Sequence, residues 1–360
     1  VARVTRPEPD RVLVTLLALI TAVLVLAALH FAQPIAAPVA FALFTIAVVW
    51  PLHRRLAARL PQLLALALTL LAIVVVVGAL GSLVAWGVRG TGQWLVANAP
   101  RLHSLYQGLA AWLEQHGIYL AGILTDQLNT ATILGIVRQV TGWLQGSLSF
   151  ALLTLVFVML GLLEVEPVAG KLARRRRAGP GPSAAATAAE IAAQLQRYML
   201  VRTGMSSVTG LAVWAFAGLA GLELAGAWGM IAFALNYIPF LGPLVATLFP
   251  TLLAIAQFDT LAGALLVFLG LQVIQFLSGS YIEPRVAGRA LALCPFMVLL
   301  SVFLWYFLWG LPGAFIGVPI LIAVQTICAG LPALQGLADL LGGPVSGQRG
   351  CDADPSASTP

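Results

Sequence analysis

Apolar residues in this 360-residue chain run in stretches too long and too uniform for the alternating faces of a soluble fold. A hydrocarbon layer about 30 Å thick takes about 20 apolar residues per helix. Stretches of that order recur at Val12–Leu29, Ile35–Trp50, Leu63–Trp86, Leu148–Leu163, Met205–Leu222, Trp228–Ala256, Leu261–Ile282, Phe296–Leu311 and Ala314–Ala329. The pattern predicts an all-α integral membrane protein of about eight membrane helices, some of them broken or re-entrant. It divides the chain into three N-terminal helices (residues 1–87), an extracytoplasmic segment (88–147), a fourth helix (148–163), a cytoplasmic basic linker and helix (164–202), a C-terminal transport core (203–331) and a polar tail (332–360). The first apolar stretch follows Arg3, Arg6 and Arg11 but lacks a clean small-residue cleavage site, so it reads as a retained helix.

Between the third and fourth stretches the period changes. Leu102, Leu105, Tyr106, Leu109, Trp112 and Leu113 recur at helical spacing, as do Ile133, Ile136, Val137, Val140, Trp143 and Leu144. Such amphipathic helices either lie in the membrane interface or pack on the protein's own outer face. After the fourth helix, Ala178–Pro182 reads as a linker, Ala184–Arg202 as a helix leading into the fifth span, and the end of the tail as disordered.

Two apolar regions are interrupted. Asn236-Tyr237-Ile238-Pro239-Phe240-Leu241-Gly242-Pro243 must break a helix, because proline has no amide proton and clashes with the preceding turn. The region is then either one kinked span or a re-entrant hairpin; the hairpin keeps Arg285 and Arg289 on the basic side, which favours it. The second interruption, Gly310, Gly313, Gly317 and Pro319, splits Phe296–Ala329 into a tight pair. Broken segments free backbone groups at membrane depth, where they survive only inside protein or beside a wet cavity, and so point to a solute pathway. Plain packing kinks would leave the same mark.

Composition sharpens this picture. The chain is 60% apolar and only 9% charged, against about 25% charged in soluble domains. A net charge of +6 does not imply nucleic acid, since the arginines sit between apolar stretches. Arg54, Arg55, Arg59, Lys171 and Arg174–Arg177 mark cytoplasmic loops under the positive-inside rule, placing the N-terminus inside and the 88–147 segment outside. No phosphate-binding loop surrounds Lys171, the histidines have no metal-ligand spacing, and the cysteines form no C-x-x-C pair. The reading is therefore not an enzyme, with no cofactor and no metal. Carboxylates fall near span ends, which disfavours a cation/proton antiporter. The polar groups inside spans are neutral: Asn236, Gln272 and Gln275, the two glutamines sharing a helix face or simply bonding neighbouring helices.

These residues are familiar together. Asn236–Ala246 resembles the N-[YF]-[IV]-P-x-[IL]-G-x-x-[IVL]-A element of the autoinducer-2 exporter family of bacterial membrane transporters. Glu283-Pro284-Arg285-Val286-Ala287-Gly288-Arg289 with Leu291 and Pro295 resembles its second element. Leu299-Leu300-Ser301, Trp305, Gly310, Gly313 and Gly317-Val318-Pro319 resemble its third, and Tyr198 also fits. Phe240, Pro243, Cys294 and the bulky Trp305–Trp309 depart from the family's usual residues, which leaves the substrate open. The resemblance implies a multi-pass transporter of the bacterial cytoplasmic membrane, both termini inside, forming homo-oligomers. The expected function is export of a small organic solute such as a quorum-sensing signal; sodium or lithium/proton antiport and a non-transporting scaffold are the alternatives. The pathway residues expected are Asn236, Tyr237, Pro239, Gly242, Pro243, Gln272 and Gln275. Glu283, Arg285 and Arg289 are expected to brace an inner gate, with an ion pair between Glu283 and Arg285.

Overall fold

The computed structural model describes residues 11–98, 148–165, 184–258, 260–287, 293–331 and 334–342, with isolated positions between 100 and 167. The two amphipathic stripes, the basic run 171–177, Arg289 and the end of the tail lie outside the described residues. Among the described residues the chain is helical: α1 (Arg11–Phe31), α2 (Gln33–Ala57), α3 (Gln62–Ala97), α4 (Leu148–Val165), α5 (Ala184–Leu219), α6 (Ala225–Leu235), α7 (Leu241–Phe258), α8 (Leu261–Phe276), α9 (Glu283–Ala287), α10 (Pro295–Ala329) and α11 (Gln335–Leu341). A π-helical turn, Leu277–Ile282, joins α8 to α9. The helices α2, α3, α4 and α8 with its π-turn are long and apolar enough to cross a bilayer, α10 is equally apolar but its 35 residues include a reversal at Gly310, and α1, α6 and α7 are shorter apolar helices. The protein is thus an all-α, multi-pass membrane protein whose exposed leucines and valines face lipid.

The expected span Met205–Leu222 proves to be the second half of α5, which continues unbroken from Ala184. It is not among the helices apolar enough to span by composition. The reason lies in its buried stripe: Leu195, Arg202, Met205, Ser206, Thr209, Gly210, Val213 and Ala217 recur at three and four residues, and several of them are polar. That polar face is turned into the bundle, and Leu200, Val208, Leu211 and Trp214 face outward.

Both interrupted regions fold into helical hairpins. The first is α6–turn–α7. With 11 residues α6 is only about 16 Å long, and the end of α7 returns to its start, so the region is a hairpin and not a single kinked span. Its feet are tied: the Glu223 amide donates to Gln257 Oε1 at 2.9 Å, and Gln257 Nε2 donates to the Gly221 carbonyl at 2.8 Å. At its tip Gly242 lies so close to Leu235 that a Cβ would overlap the Leu235 carbonyl, so only glycine fits. The second hairpin lies within α10, which doubles back at Gly310 (φ 67°, ψ −148°), a conformation natural to glycine. Ser301 Oγ donates to the Gly317 carbonyl at 2.7 Å and pins its two arms together.

The hairpins enter from opposite ends of the bundle. Antiparallel packing of α2 on α3, fixed by His53 Nδ1 and Thr69 Oγ1 at 3.1 Å, puts the start of α2 level with the last part of α3. The feet of the first hairpin sit there, with Trp94 donating to Glu223 and Gly87 against Ala227 and Ile231. The tip of the second hairpin reaches the same level, where Trp309 meets Leu29 just before α2. One core surrounds this second hairpin and takes in Ala37, Phe44, Leu195, Ile238, Val302, Trp309, Ile316 and Ile322.

Candidate functional site

The tip of the first hairpin lands on the polar face of α5. Asn236 is buried, and its Nδ2 donates to Ser206 Oγ at 3.2 Å. Tyr237, also buried, donates from its hydroxyl to Thr203 Oγ1 at 3.0 Å. The Tyr237 ring packs edge-on against Phe233 at 5.7 Å and stacks on Phe315 at 5.8 Å. Phe315 belongs to the returning arm of the second hairpin, so this stack joins the two hairpins. Pro239 and Pro243 are half-buried behind them, and Gly242 is buried.

Proline at 239 withholds the amide that would bond the Leu235 carbonyl, so Asn236 is a natural candidate to satisfy the break. The structure solves the problem locally instead: the Ile238 amide donates to the Leu235 carbonyl at 2.9 Å in a tight turn. The Asn236 side chain is thereby free to face α5.

One turn further along, Arg202 is buried and donates from one terminal nitrogen to Glu283 Oε1 at 2.6 Å. The ion pair expected between Glu283 and Arg285 is corrected by this contact. Arg285 lies instead over the Tyr281 ring, 3.7 Å from its centroid, a favourable position for a cation over an aromatic face. Two buried polar atoms on the same face of α5, Arg202 Nε and Thr209 Oγ1, have no hydrogen-bond partner among the described residues. Unpaired buried polar atoms are rare in native structures, and each calls for an explanation.

The other expected pathway residues divide. Gly310 makes the turn of the second hairpin; Gly313 and Gly317 let its arms touch, and Pro319 is buried. Gln272 is exposed on the outside of α8 and Gln275 is half-buried, so neither joins the cluster at the tip of the first hairpin. Arg202, Thr203, Ser206 and Thr209 were not expected as site residues. Their three- and four-residue spacing was visible, but it straddles the boundary between the helix read as cytoplasmic, which ends at Arg202, and the apolar stretch that starts at Met205. The cluster offers neutral donors and acceptors from Asn236, Tyr237, Thr203, Ser206 and Thr209, bordered by one neutralised ion pair. Among the described residues no group of histidine, cysteine or acidic side chains is placed to hold a metal ion.

Comparison with known proteins agrees with this architecture. The model of the AI-2E family transporters matches residues 19–332. The AI-2 transport protein TqsA of Escherichia coli (strain K12) is 29% identical over 321 residues, covering 89% of this chain and 92% of that protein. YhhT of the same organism, named provisionally as a transport protein, is 25% identical over 321 residues, 87% of this chain and 90% of its own. A provisionally named transport protein of Haemophilus influenzae (strain ATCC 51907 / DSM 11121 / KW20 / Rd) is 25% identical over 336 residues, 91% of this chain and 96% of its own. With its opposed hairpins and its match to the family model over most of its length, the chain belongs to the AI-2E family of membrane transporters.

Proposed function

We propose that the chain exports a small, neutral, hydroxyl-bearing organic solute across the bacterial cytoplasmic membrane, along the polar face of α5 beneath the tip of the first hairpin. The observation that carries this reading is the pair of contacts Asn236–Ser206 and Tyr237–Thr203, a hydrogen-bonding surface at a helix break inside an apolar bundle. A solute hydroxyl can take over such bonds one for one, with no countercharge to desolvate. The two unsatisfied groups, Arg202 Nε and Thr209 Oγ1, are further points on the same track. A quorum-sensing signal is the natural candidate cargo, because TqsA is named for AI-2 transport. Glu283 is already paired with Arg202, which counts against sodium or lithium/proton exchange at this cluster. No phosphate-binding loop surrounds Lys171, which supports transport that is not driven by ATP.

The arginine distribution supports cytoplasmic termini. In that orientation the first hairpin enters from outside with its tip toward the cytoplasm, and the second enters from the cytoplasm with its tip outward. Segments of this kind, broken and opposed, are how many secondary transporters build a midplane site. We read the assembled protein as a homo-oligomer.

Flux into proteoliposomes tests the reading. Purified protein should move autoinducer-2, with and without an imposed proton gradient compared side by side. Asn236→Ala should lower flux per folded molecule about tenfold, the value of one or two lost hydrogen bonds, with thermal stability largely kept. Sodium or lithium flux in place of organic solute, or unchanged normalised flux in Asn236→Ala, would contradict it.

A further inference from the structure

The second hairpin carries an arrangement at its tip that the solute pathway does not use. The first arm of the hairpin ends where the chain reverses at Gly310, so the Leu308 carbonyl is among the last four of that arm and has no donor within its own helix. His30 supplies one: its Nδ1 lies 3.2 Å from the Leu308 carbonyl oxygen. A carbonyl only accepts, so Nδ1 carries the proton in this contact. The exchange is reciprocal. Trp309 Nε1 donates at 3.0 Å to the carbonyl of Leu29, one of the last four carbonyls of α1, which lack partners within their own helix. The His30 ring also stacks on Phe307 at 6.0 Å with an interplanar angle of 18°. Between the two donors and the turn sits Gly310, the point where the hairpin reverses.

We propose that His30 and Trp309 form a latch that holds the tip of the second hairpin closed against the elbow between α1 and α2. His30 and Trp309 are then positioning residues. The catch is mounted firmly, because only Ala32 separates α1 from α2 and the following turns of α2 are buried at Ala37, Pro38, Ala42, Phe44 and Ile46. The hairpin side turns at Gly310, where a Cβ would meet nothing within 4 Å. Each bond of the latch satisfies a carbonyl left open at a helix end, Leu29 at the end of α1 and Leu308 at the end of the first arm. Opening the tip therefore exposes both carbonyls at once. A latch of this kind makes opening depend on water or solute reaching the tip. That consequence rests on the transport reading above; the latch itself does not.

Hydrogen–deuterium exchange of the full chain in lipid nanodiscs tests it. His30→Phe keeps the ring stack and removes the donor, and Trp309→Phe removes the reciprocal donor. Each should raise amide exchange in residues 305–316 about tenfold, with α7 (Leu241–Phe258) unchanged. His30→Gln, which retains an N–H donor, should stay close to the unsubstituted protein. Unchanged exchange at the tip in both phenylalanine variants would overturn the latch, and so would an equal rise across α7, which would mean general loosening. Flux measured on the same variants separates the two proposals. A faster-exchanging tip with unaltered flux leaves the latch standing and removes the second hairpin from the transport path.

Discussion

Burying the Arg202 guanidinium in a bundle that faces lipid has a desolvation cost that its ion pair with Glu283 must offset. Arg202 has 7% of its side chain exposed and Glu283 31%, so the pair is only partly screened. Breaking a fully buried pair costs about 3–5 kcal/mol; with the glutamate a third exposed, about 2 kcal/mol is the expected loss for Glu283→Ala. Exchanging the charges, Arg202→Glu with Glu283→Arg, should recover most of the thermal stability that either single reversal loses. The same exchange between Glu283 and Arg285 should recover none, because Arg285 lies on Tyr281. Rescue by the Arg285 exchange would contradict the pairing. The partner was not legible in the sequence. Arg202 and Glu283 are 81 residues apart, and the nearer Arg285 satisfies every local rule for a partner. The direction of Gln272 was not legible either. A neutral polar residue in an apolar stretch reads as inward-facing, yet the turn of α8 points it outward.

Elements were more legible than pairings. Both hairpins were marked by proline and glycine, because a missing amide donor or a required close approach leaves no other residue choice. Gly313 illustrates this: a Cβ there would overlap the Trp305 carbonyl in the facing arm, and backbone cannot move aside as a side chain can. Gly313→Ala and Gly242→Ala should each destabilise the protein by about 1–3 kcal/mol, the usual range for overpacking. Gly81, in the middle of α3, has open space around its missing Cβ. Gly81→Ala should be neutral or stabilising by up to about 1 kcal/mol, from helix propensity alone. Thermal unfolding in detergent compares the three; equal effects would mean that the arms are not in contact. The helix α5 was harder to read, because no residue interrupts it. Its inward face mixes Arg202, Ser206 and Thr209 with Met205 and Val213, so its period is clear only once the partners of those polar groups are known.

At the scale of the molecule, two opposed hairpins meet through the Tyr237–Phe315 stack, with α5 behind the first and the α1–α2 elbow against the second. The polar cluster is sealed as it stands: Asn236 and Tyr237 press directly on α5, and Gly210 and Gly229 bring α5 and α6 into backbone contact, each within 2.9 Å of the other's carbonyl if it carried a Cβ. Transport along α5 therefore requires the hairpin tip to leave the helix while its feet stay tied by Glu223 and Gln257. A reversible cross-link reads this directly. The native Cys294, Cys328 and Cys351 are first replaced by alanine. Asn236→Cys and Ser206→Cys are then bridged by a short, reducible thiol cross-linker in proteoliposomes, and a second protein is bridged at Glu223→Cys and Gln257→Cys. The account predicts that bridging the tip abolishes the flux that remains in this variant, that reduction returns it to the level before bridging, and that bridging the feet leaves flux unchanged. Full flux through a protein whose tip is quantitatively cross-linked to α5 would contradict it.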